Sequence, residues 1–200
     1  MDRVADNVAP RVSSNYAEST RRRLSKKQAE TVDRLTRAGI EVLREREFSG
    51  LTIREVASRA GVGPATAYTY FSSKEHLVAE IFWRRLQAEP APIDAGLDRT
   101  ARVLKVLRSI ALLVAGEPEV SGAVTNALLG TDPDVEHLRG RIGREIRQRL
   151  AGALGPDADE DVLETLEMIY AGALLRAGMG YDSYANIAEK LEVSARMILE

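Results

Sequence analysis

The sequence predicts an all-α protein with about nine helices. Apolar residues recur at intervals of three and four along most of the chain from residue 25 onward. Residues suited to helix N-caps precede several of these stretches. Beyond the prolines at positions 90 and 92, no stretch alternates apolar and polar residues as a strand does. Clusters of Gly, Pro and Asp separate the stretches and are typical of helix ends.

The first predicted helix follows Ser25, which is placed to form a capping box with Gln28. Apolar residues then recur at helical spacing to about Arg46. Phe48 follows as the expected anchor into the core.

The second and third predicted helices are short and lie close together. Thr52 and Glu55 form another capping box, which opens a helix ending at Ala60. The residues at positions 61–64, GVGP, form a compact turn. Its proline suits the first position of a helix, where the missing N–H costs nothing. We expect that helix to run from Pro64 to Phe71.

Six further helices complete the prediction. Ser72 and Glu75 form a third capping box for a helix to about Ala88, which Pro90 and Pro92 end. The remaining five are expected at Thr100–Ala115, Glu119–Leu129, Pro133–Leu154, Ala158–Ala177 and Ser183–Leu199.

The composition excludes several classes of protein. Of the 200 residues, 44% are hydrophobic and 29% are charged, as in ordinary globular proteins. No stretch approaches the roughly 18 apolar residues of a membrane span, and no signal peptide is evident. We therefore expect a cytoplasmic protein without a membrane partner. The chain has no cysteine, which excludes disulfides and thiolate metal sites.

The N-terminal part of the chain is basic and the rest is acidic. Residues 1–76 hold 14 Lys and Arg against 10 Asp and Glu, and residues 77–200 hold 14 against 20. Residues 1–24 lack helical periodicity and include arginines at positions 21–23. We expect a flexible basic arm there, either a solvated tail or a contact to phosphates or the minor groove. The charge division suits a domain that meets phosphates, although such differences also occur without function.

Two short helices joined by a glycine-containing turn have the geometry of a helix-turn-helix, in which the second helix enters the major groove. The segment from Leu51 to Leu77, LTIREVASRAGVGPATAYTYFSSKEHL, resembles the DNA-binding segment of TetR-type regulators. It departs from the common family pattern at Glu47, where a glycine often ends the first helix. It also departs at Gly63, often a serine, and at Ala67, usually a larger aliphatic residue.

The resemblance implies an N-terminal three-helix domain that binds double-stranded DNA. Arg54 would contact a base or phosphate, Thr52 and Tyr68 would contact phosphates, and Lys74 would lie beside the DNA backbone. The helix that begins after Gly63 would present the residues Pro64, Ala65, Thr66, Thr69 and Tyr70 to the groove. For each residue the alternative is capping, packing or solubility, and Tyr70 in particular suits the core.

The resemblance also implies a C-terminal helical bundle for dimerisation. We expect an arm at 1–24, a helix-turn-helix domain at 25–76 and a ligand-binding and dimerisation domain at 77–200. A homodimer would place its recognition helices roughly 34–36 Å apart on a palindromic operator. The expected interface consists of Val162, Leu166, Ile169, Ala173, Ile187, Leu191, Ala195 and Ile198. The alternative is that these residues pack only within one subunit.

A small-molecule effector is the second implication for the bundle. Candidate pocket residues are Trp83, Met168, Tyr170, Met179 and Tyr181, although aromatic and Met residues at this spacing also suit a plain core. Few charges lie on these helix faces, which favours a bulky apolar effector: a lipid, an acyl thioester, a steroid or a hydrophobic drug. Its binding would shift the helix that begins at Ser73 and move the recognition helices out of register.

Two other functions compete with a DNA-binding repressor. An enzyme is disfavoured, because the only histidines are His76 and His137 and no nucleophile elbow, P-loop or H-E-x-x-H motif is present. We therefore expect no catalytic residue, metal or cofactor. The other alternative is a helical scaffold with a vestigial helix-turn-helix, for which Gly63 and Ala67 are the support. Nothing in these residues separates a repressor from an activator.

Overall fold

The computed structural model describes residues 25–92, 94 and 96–200, together with the backbone of residues 18–19 and 22–23. These residues form nine helices, as the sequence predicts, and the all-α fold class is confirmed. The helices are α1 (Lys26–Gly50), α2 (Ile53–Arg59), α3 (Pro64–Tyr70), α4 (Lys74–Ala88), α5 (Arg99–Leu112), α6 (Pro118–Leu128), α7 (Pro133–Leu154), α8 (Glu160–Gly178) and α9 (Tyr184–Leu199).

Two short strands precede the helices. Strand β1 (Glu18–Ser19) pairs antiparallel with β2 (Arg22–Arg23). The rest of the expected N-terminal arm lies outside the described residues, so its role stays a prediction.

Helix α1 has the predicted capping box, with Ser25 and Gln28 bonding reciprocally. Its last turn is interrupted at Glu47, which adopts φ 55° and ψ −176°. That conformation belongs almost entirely to glycine, because a Cβ atom crowds the backbone there. Glu47 is the position where the related pattern has a glycine, so the chain keeps the corner despite an unfavourable residue.

The turn of the helix-turn-helix is closed by backbone hydrogen bonds. Gly61 has φ 63°, and its N–H donates to the Ser58 carbonyl, while the Val62 N–H donates to the Ala57 carbonyl. This is a Schellman motif, whose left-handed position favours glycine. It fixes the angle at which α3 leaves α2.

Helix α4 lies at the centre of the fold. It packs against α1, α6 and α7, and most of its residues are buried. The expected domain boundary between residues 76 and 77 falls inside this helix, and one hydrophobic core continues across it. The expected helix-turn-helix domain and the C-terminal bundle therefore share α4.

The start of α4 differs from the prediction by one residue. Ser73 is the N-cap, and its hydroxyl accepts a hydrogen bond from the His76 N–H at 3.0 Å. Ser72 is displaced from the capping position because its hydroxyl is bonded to other side chains, described below.

We expect Glu47→Gly to stabilise the protein. The substitution removes about 1–3 kcal/mol of backbone strain from the folded state. Against this gain, the greater freedom of glycine in the unfolded chain lowers the free energy of unfolding by about 0.5–1 kcal/mol. A net gain of about 1 kcal/mol corresponds to a rise in Tm of about 2–4 °C for a chain of this size. Glu41→Gly, at an exposed position inside α1, is the control and should lower Tm. Equal losses in both variants would show that Glu47 is not strained.

Candidate nucleic-acid interface and ligand cavity

Helix α3 presents one continuous face to solvent. Its exposed residues, with the N-cap Gly63, are Pro64, Ala65, Thr66, Tyr68 and Thr69. The face is composed mainly of small side chains, so a partner can approach the backbone closely. Tyr68, 47% exposed, is the one large side chain on it.

Tyr70 does not belong to this face, which corrects the prediction that it meets the groove. It is only 5% exposed and lies in the core with Ala67. Residues three apart on a helix share a side, so the turn of α3 that exposes Tyr68 and Thr69 directs Ala67 and Tyr70 inward. The tyrosine adds volume to a core in which Ala67 is small.

Helix α2 contributes a free cation beside this face. Arg54 is exposed and forms no ion pair with any described residue. In contrast, Arg59 is held by both carboxylate oxygens of Glu45. The Thr52 hydroxyl caps α2 by accepting from the Glu55 N–H at 3.2 Å, which leaves its own hydrogen available to a phosphate. Arg54 is thus the cation of α2 best placed to meet an anion.

The Lys74 side chain is bonded within the protein itself. Its ammonium donates to the Phe48 carbonyl at 3.0 Å and lies 4.4 Å from the centre of the Phe48 ring. This contact ties the start of α4 to the corner after Glu47. The ammonium has two further N–H donors, so a phosphate contact is compatible with this role.

A polar cluster joins the end of the helix-turn-helix to the start of α7. The Ser72 hydroxyl lies 2.9 Å from Asp132 Oδ2, 2.7 Å from Asp134 Oδ2 and 3.1 Å from His76 Nδ1. The Ser72 N–H also donates to His76 Nδ1 at 3.2 Å. His76 is 1% exposed. The cluster is therefore a partly buried connection between the two halves of the chain.

The Asp132 carboxylate is kept ionised within this cluster. Burial opposes its ionisation, but hydrogen bonds from the Ser73 side chain, the Asp134 backbone and the Ser72 side chain outweigh burial and lower its pKa. Asp132 also caps α7 by accepting from the Asp134 N–H at 2.8 Å. The sequence gives no periodic signal for this cluster, because its members come from segments 60 residues apart.

The other end of α4 is also attached to α7. The Arg149 guanidinium is 6% exposed and donates to the Leu86 carbonyl at 2.6 Å. The Glu117 carboxylate adds a second link, since it lies 2.7 Å from both Arg85 of α4 and Arg44 of α1. Helix α4 is thus fixed to its neighbours at both ends.

A cavity of about 470 Å³ lies between α4, α5, α6, α7 and α8. Its apolar lining includes Phe82 of α4, Ile142 and Ile146 of α7, and Leu174 of α8. Sequence reasoning missed these residues, because a side chain that lines a cavity has the same helical spacing as one that fills a core. A cavity of this size suits a small molecule.

The structure corrects four of the five predicted cavity residues. Only Tyr170 lines the cavity. Met168 lies on the outward side of α8, and Met179 and Tyr181 follow the end of that helix, all three exposed. Trp83 is buried and does not line the cavity; its ring centre lies 4.6 Å from the Arg141 guanidinium. His137 is exposed.

The last two helices bury part of the expected dimer face inside one subunit. Leu166, Ile187, Leu191 and Ala195 are at most 3% exposed, because α9 packs against both α5 and α8. This corrects their assignment to an interface between subunits. Val162, Ile169, Ala173 and Ile198 are partly buried against the core.

A different set of apolar side chains is exposed on the same two helices and just after α8. These residues are Met168, Met179, Val193 and Met197. Exposed apolar side chains of this kind occur at binding surfaces.

Within the described ranges, the structure contains no group of three or more acidic or histidine side chains that could hold a metal ion. Among the same residues no helix combines the length and the apolar character needed to cross a bilayer.

The fold and these features define a helix-turn-helix DNA-binding protein with a helical C-terminal domain. Residues 35–81 match the family described as bacterial regulatory proteins, tetR family. An uncharacterised HTH-type transcriptional regulator of Mycobacterium tuberculosis is 42% identical over 200 residues, covering 99% of this chain and 93% of that protein. The chain therefore belongs to the TetR family; it is a DNA-binding transcriptional regulator and not an enzyme.

Proteins that are more distantly similar to this chain include other transcriptional regulators. The HTH-type transcriptional repressor KstR of Mycolicibacterium smegmatis is 22% identical over 187 residues, 88% of this chain and 90% of KstR. A TetR transcriptional regulator from Rhodococcus sp. RHA1 has the same fold, with a TM-score of 0.73, 23% identity and coverage of 87% of this chain and 98% of that one. The FadR repressor of Thermus thermophilus, solved in complex with lauroyl-CoA, gives a TM-score of 0.58 at 26% identity, covering 84% and 93%.

Proposed function

We propose that this protein is a cytoplasmic repressor, which binds a palindromic operator as a homodimer and leaves it when a hydrophobic small molecule occupies the cavity. The observation that supports this most strongly is the position of α4. In its first turn Lys74 holds Phe48 at the end of α1, inside the expected helix-turn-helix domain at 25–76, and Phe82 in its second half lines the cavity. One rigid helix therefore touches both functional regions.

Operator recognition is assigned to the exposed face of α3 and to α2. Ala65, Thr66 and Thr69 carry methyl groups suited to contact with thymine methyls, and Pro64 and Gly63 let the backbone approach. The Thr69 hydroxyl donates to the Ala65 carbonyl at 3.0 Å, so it meets DNA as an acceptor. Arg54, Thr52 and Tyr68 supply the phosphate contacts that set orientation and affinity.

Dimerisation is assigned to the exposed apolar residues of the last helices. Met168 and Met197 are each at least 60% exposed, and burying such residues between two subunits is favourable by about 25 cal/mol per Å². Exposed Ala171 and Gly172 on α8 allow a partner helix to approach closely. Two-fold symmetry of the dimer then requires two-fold symmetry in the operator.

The effector is assigned to the cavity and is hydrophobic, since the lining is mostly aliphatic. The acyl thioester lauroyl-CoA held by the FadR neighbour is an example of this class. An occupant that packs against Phe82 displaces α4, and the attachment of Ser72 to α7 carries the displacement to α3. Coupling of about 1–3 kcal/mol, typical of such systems, changes operator affinity roughly 5- to 150-fold.

The DNA-binding assignment is tested by selecting bound duplexes from a random pool and measuring affinity for the selected sequence at two salt concentrations. We expect a palindrome. Arg54→Ala should weaken binding by roughly 1–3 kcal/mol and reduce the salt slope by about 1, and Tyr68→Phe should weaken it less. Arg144→Ala is the matched control, because it removes an exposed cation of α7 far along the chain from the helix-turn-helix. If all three variants behave alike, the assignment of α2 and α3 is wrong.

The dimer surface is tested with the double variant Val193→Glu and Met197→Glu. Two carboxylates in an apolar interface oppose association because they must lose their hydration. We expect a monomer in sedimentation velocity and weaker operator binding. Gln148→Glu, at an exposed position on α7, should remain dimeric. A stable dimer of the double variant places the interface elsewhere.

A further inference from the structure

We infer that the cavity binds a hydrophobic molecule that carries one uncharged oxygen, a carbonyl or a hydroxyl, and that the Tyr170 hydroxyl donates a hydrogen bond to it. This inference rests on the proposed function, since it concerns the same cavity. It adds the chemical group that the protein recognises.

The two tyrosines of the cavity differ in their hydrogen bonding. The Tyr184 hydroxyl donates to the Ser121 carbonyl at 2.8 Å and lies 2.7 Å from Thr125 Oγ1. The Tyr170 hydroxyl is buried and has no hydrogen-bond partner among the described residues. Tyr184 and Thr125 thus satisfy each other, whereas Tyr170 has a donor to offer.

Leaving a buried hydroxyl without a hydrogen-bond partner is unfavourable. A ligand oxygen that accepts from Tyr170 recovers this free energy, so it is favoured over a purely apolar group of the same shape. Burial, with a smaller contribution from Tyr184, raises the pKa of Tyr170. The hydroxyl therefore remains protonated and acts as a neutral donor.

The lining holds two charged residues, and its one cation, Arg139, is exposed. The Arg139 guanidinium donates to the Leu128 carbonyl at 2.7 Å and to the Gly130 carbonyl at 3.1 Å. The Glu167 carboxylate is paired with Arg147. A ligand carboxylate buried beside Tyr170 would lose its hydration, which is unfavourable, whereas a carboxylate at the exposed Arg139 would keep its contact with water. The polar group near Tyr170 is therefore uncharged.

The entrance accommodates a bulky or long hydrocarbon. Gly143 of α7 and Gly172 of α8 line the cavity and are exposed. A Cβ atom at either position would meet no atom within 4 Å. The open space between these two helices lets part of a ligand extend outward while its oxygen reaches Tyr170.

The test compares three probes in the full-length protein. N-phenyl-1-naphthylamine, which has no oxygen, reports cavity occupancy by fluorescence, and decan-2-one and decanoate compete with it. In the unmodified protein decan-2-one should bind more tightly than decanoate. Tyr170→Phe should weaken decan-2-one roughly tenfold and leave N-phenyl-1-naphthylamine unchanged. Tyr181→Phe, at an exposed tyrosine, is the control and should change neither.

The unliganded protein gives a second readout. Tyr170→Phe removes the unsatisfied hydroxyl and should raise Tm, which also shows that the variant folds. Three results would overturn this inference and leave the proposed ligand-binding function standing: an unchanged affinity of Tyr170→Phe for decan-2-one, an equal loss for both uncharged probes, or tighter binding of decanoate to the unmodified protein. If no probe binds the unmodified protein, the proposed ligand-binding function fails with it.

Discussion

The structure depends most on the attachment of α4 to α7 at both ends. At the first end Ser72 and His76 meet Asp132 and Asp134, and at the second Arg149 holds the Leu86 carbonyl. Phe82, Ile142 and Ile146 line the cavity between these ends. A helix held in this way moves as a unit, so a change in cavity volume is transmitted along it.

The hydrogen bonding of Ser72 at the start of α4 suits a connection that must rearrange. A single hydroxyl hydrogen of Ser72 serves two carboxylates, and it can point to only one of them at a time. Polar clusters that are at least partly buried have specific geometries and lose stability when one bond is left unmade. Such a cluster favours discrete arrangements over gradual deformation, which is what a switch between DNA-bound and released states requires.

Much of the fold could be predicted from the sequence, because its helices have local signals. The capping box at Ser25 and the helix Pro133–Leu154 agree with the structure, since caps and prolines act on neighbouring residues. The predicted N-cap of α4 is one residue too early, because the Ser72 hydroxyl is bonded to Asp132 and Asp134 from a distant segment. Local patterns cannot report such a long-range competition for one hydroxyl.

The sites could be predicted only in part, for a related reason. Helical spacing identifies an apolar stripe but does not say whether it faces the core, a cavity or a second subunit. Tyr70 and Leu191 therefore have the pattern of functional residues and lie in the core. In contrast, Arg54 and Tyr68 are exposed as expected, because the motif that positions them is local. Tyr170 stands out only once its missing hydrogen bond is known.

Ligand-dependent operator affinity in Ser72→Ala tests the central claim most directly. Affinity for the selected operator is measured with and without saturating decan-2-one in the unmodified protein and in this variant, with ligand affinity measured in parallel. The account predicts a roughly 5- to 150-fold loss in the unmodified protein and a much smaller loss in Ser72→Ala, with ligand affinity retained. An equal loss in both proteins would contradict transmission through Ser72 and the start of α4.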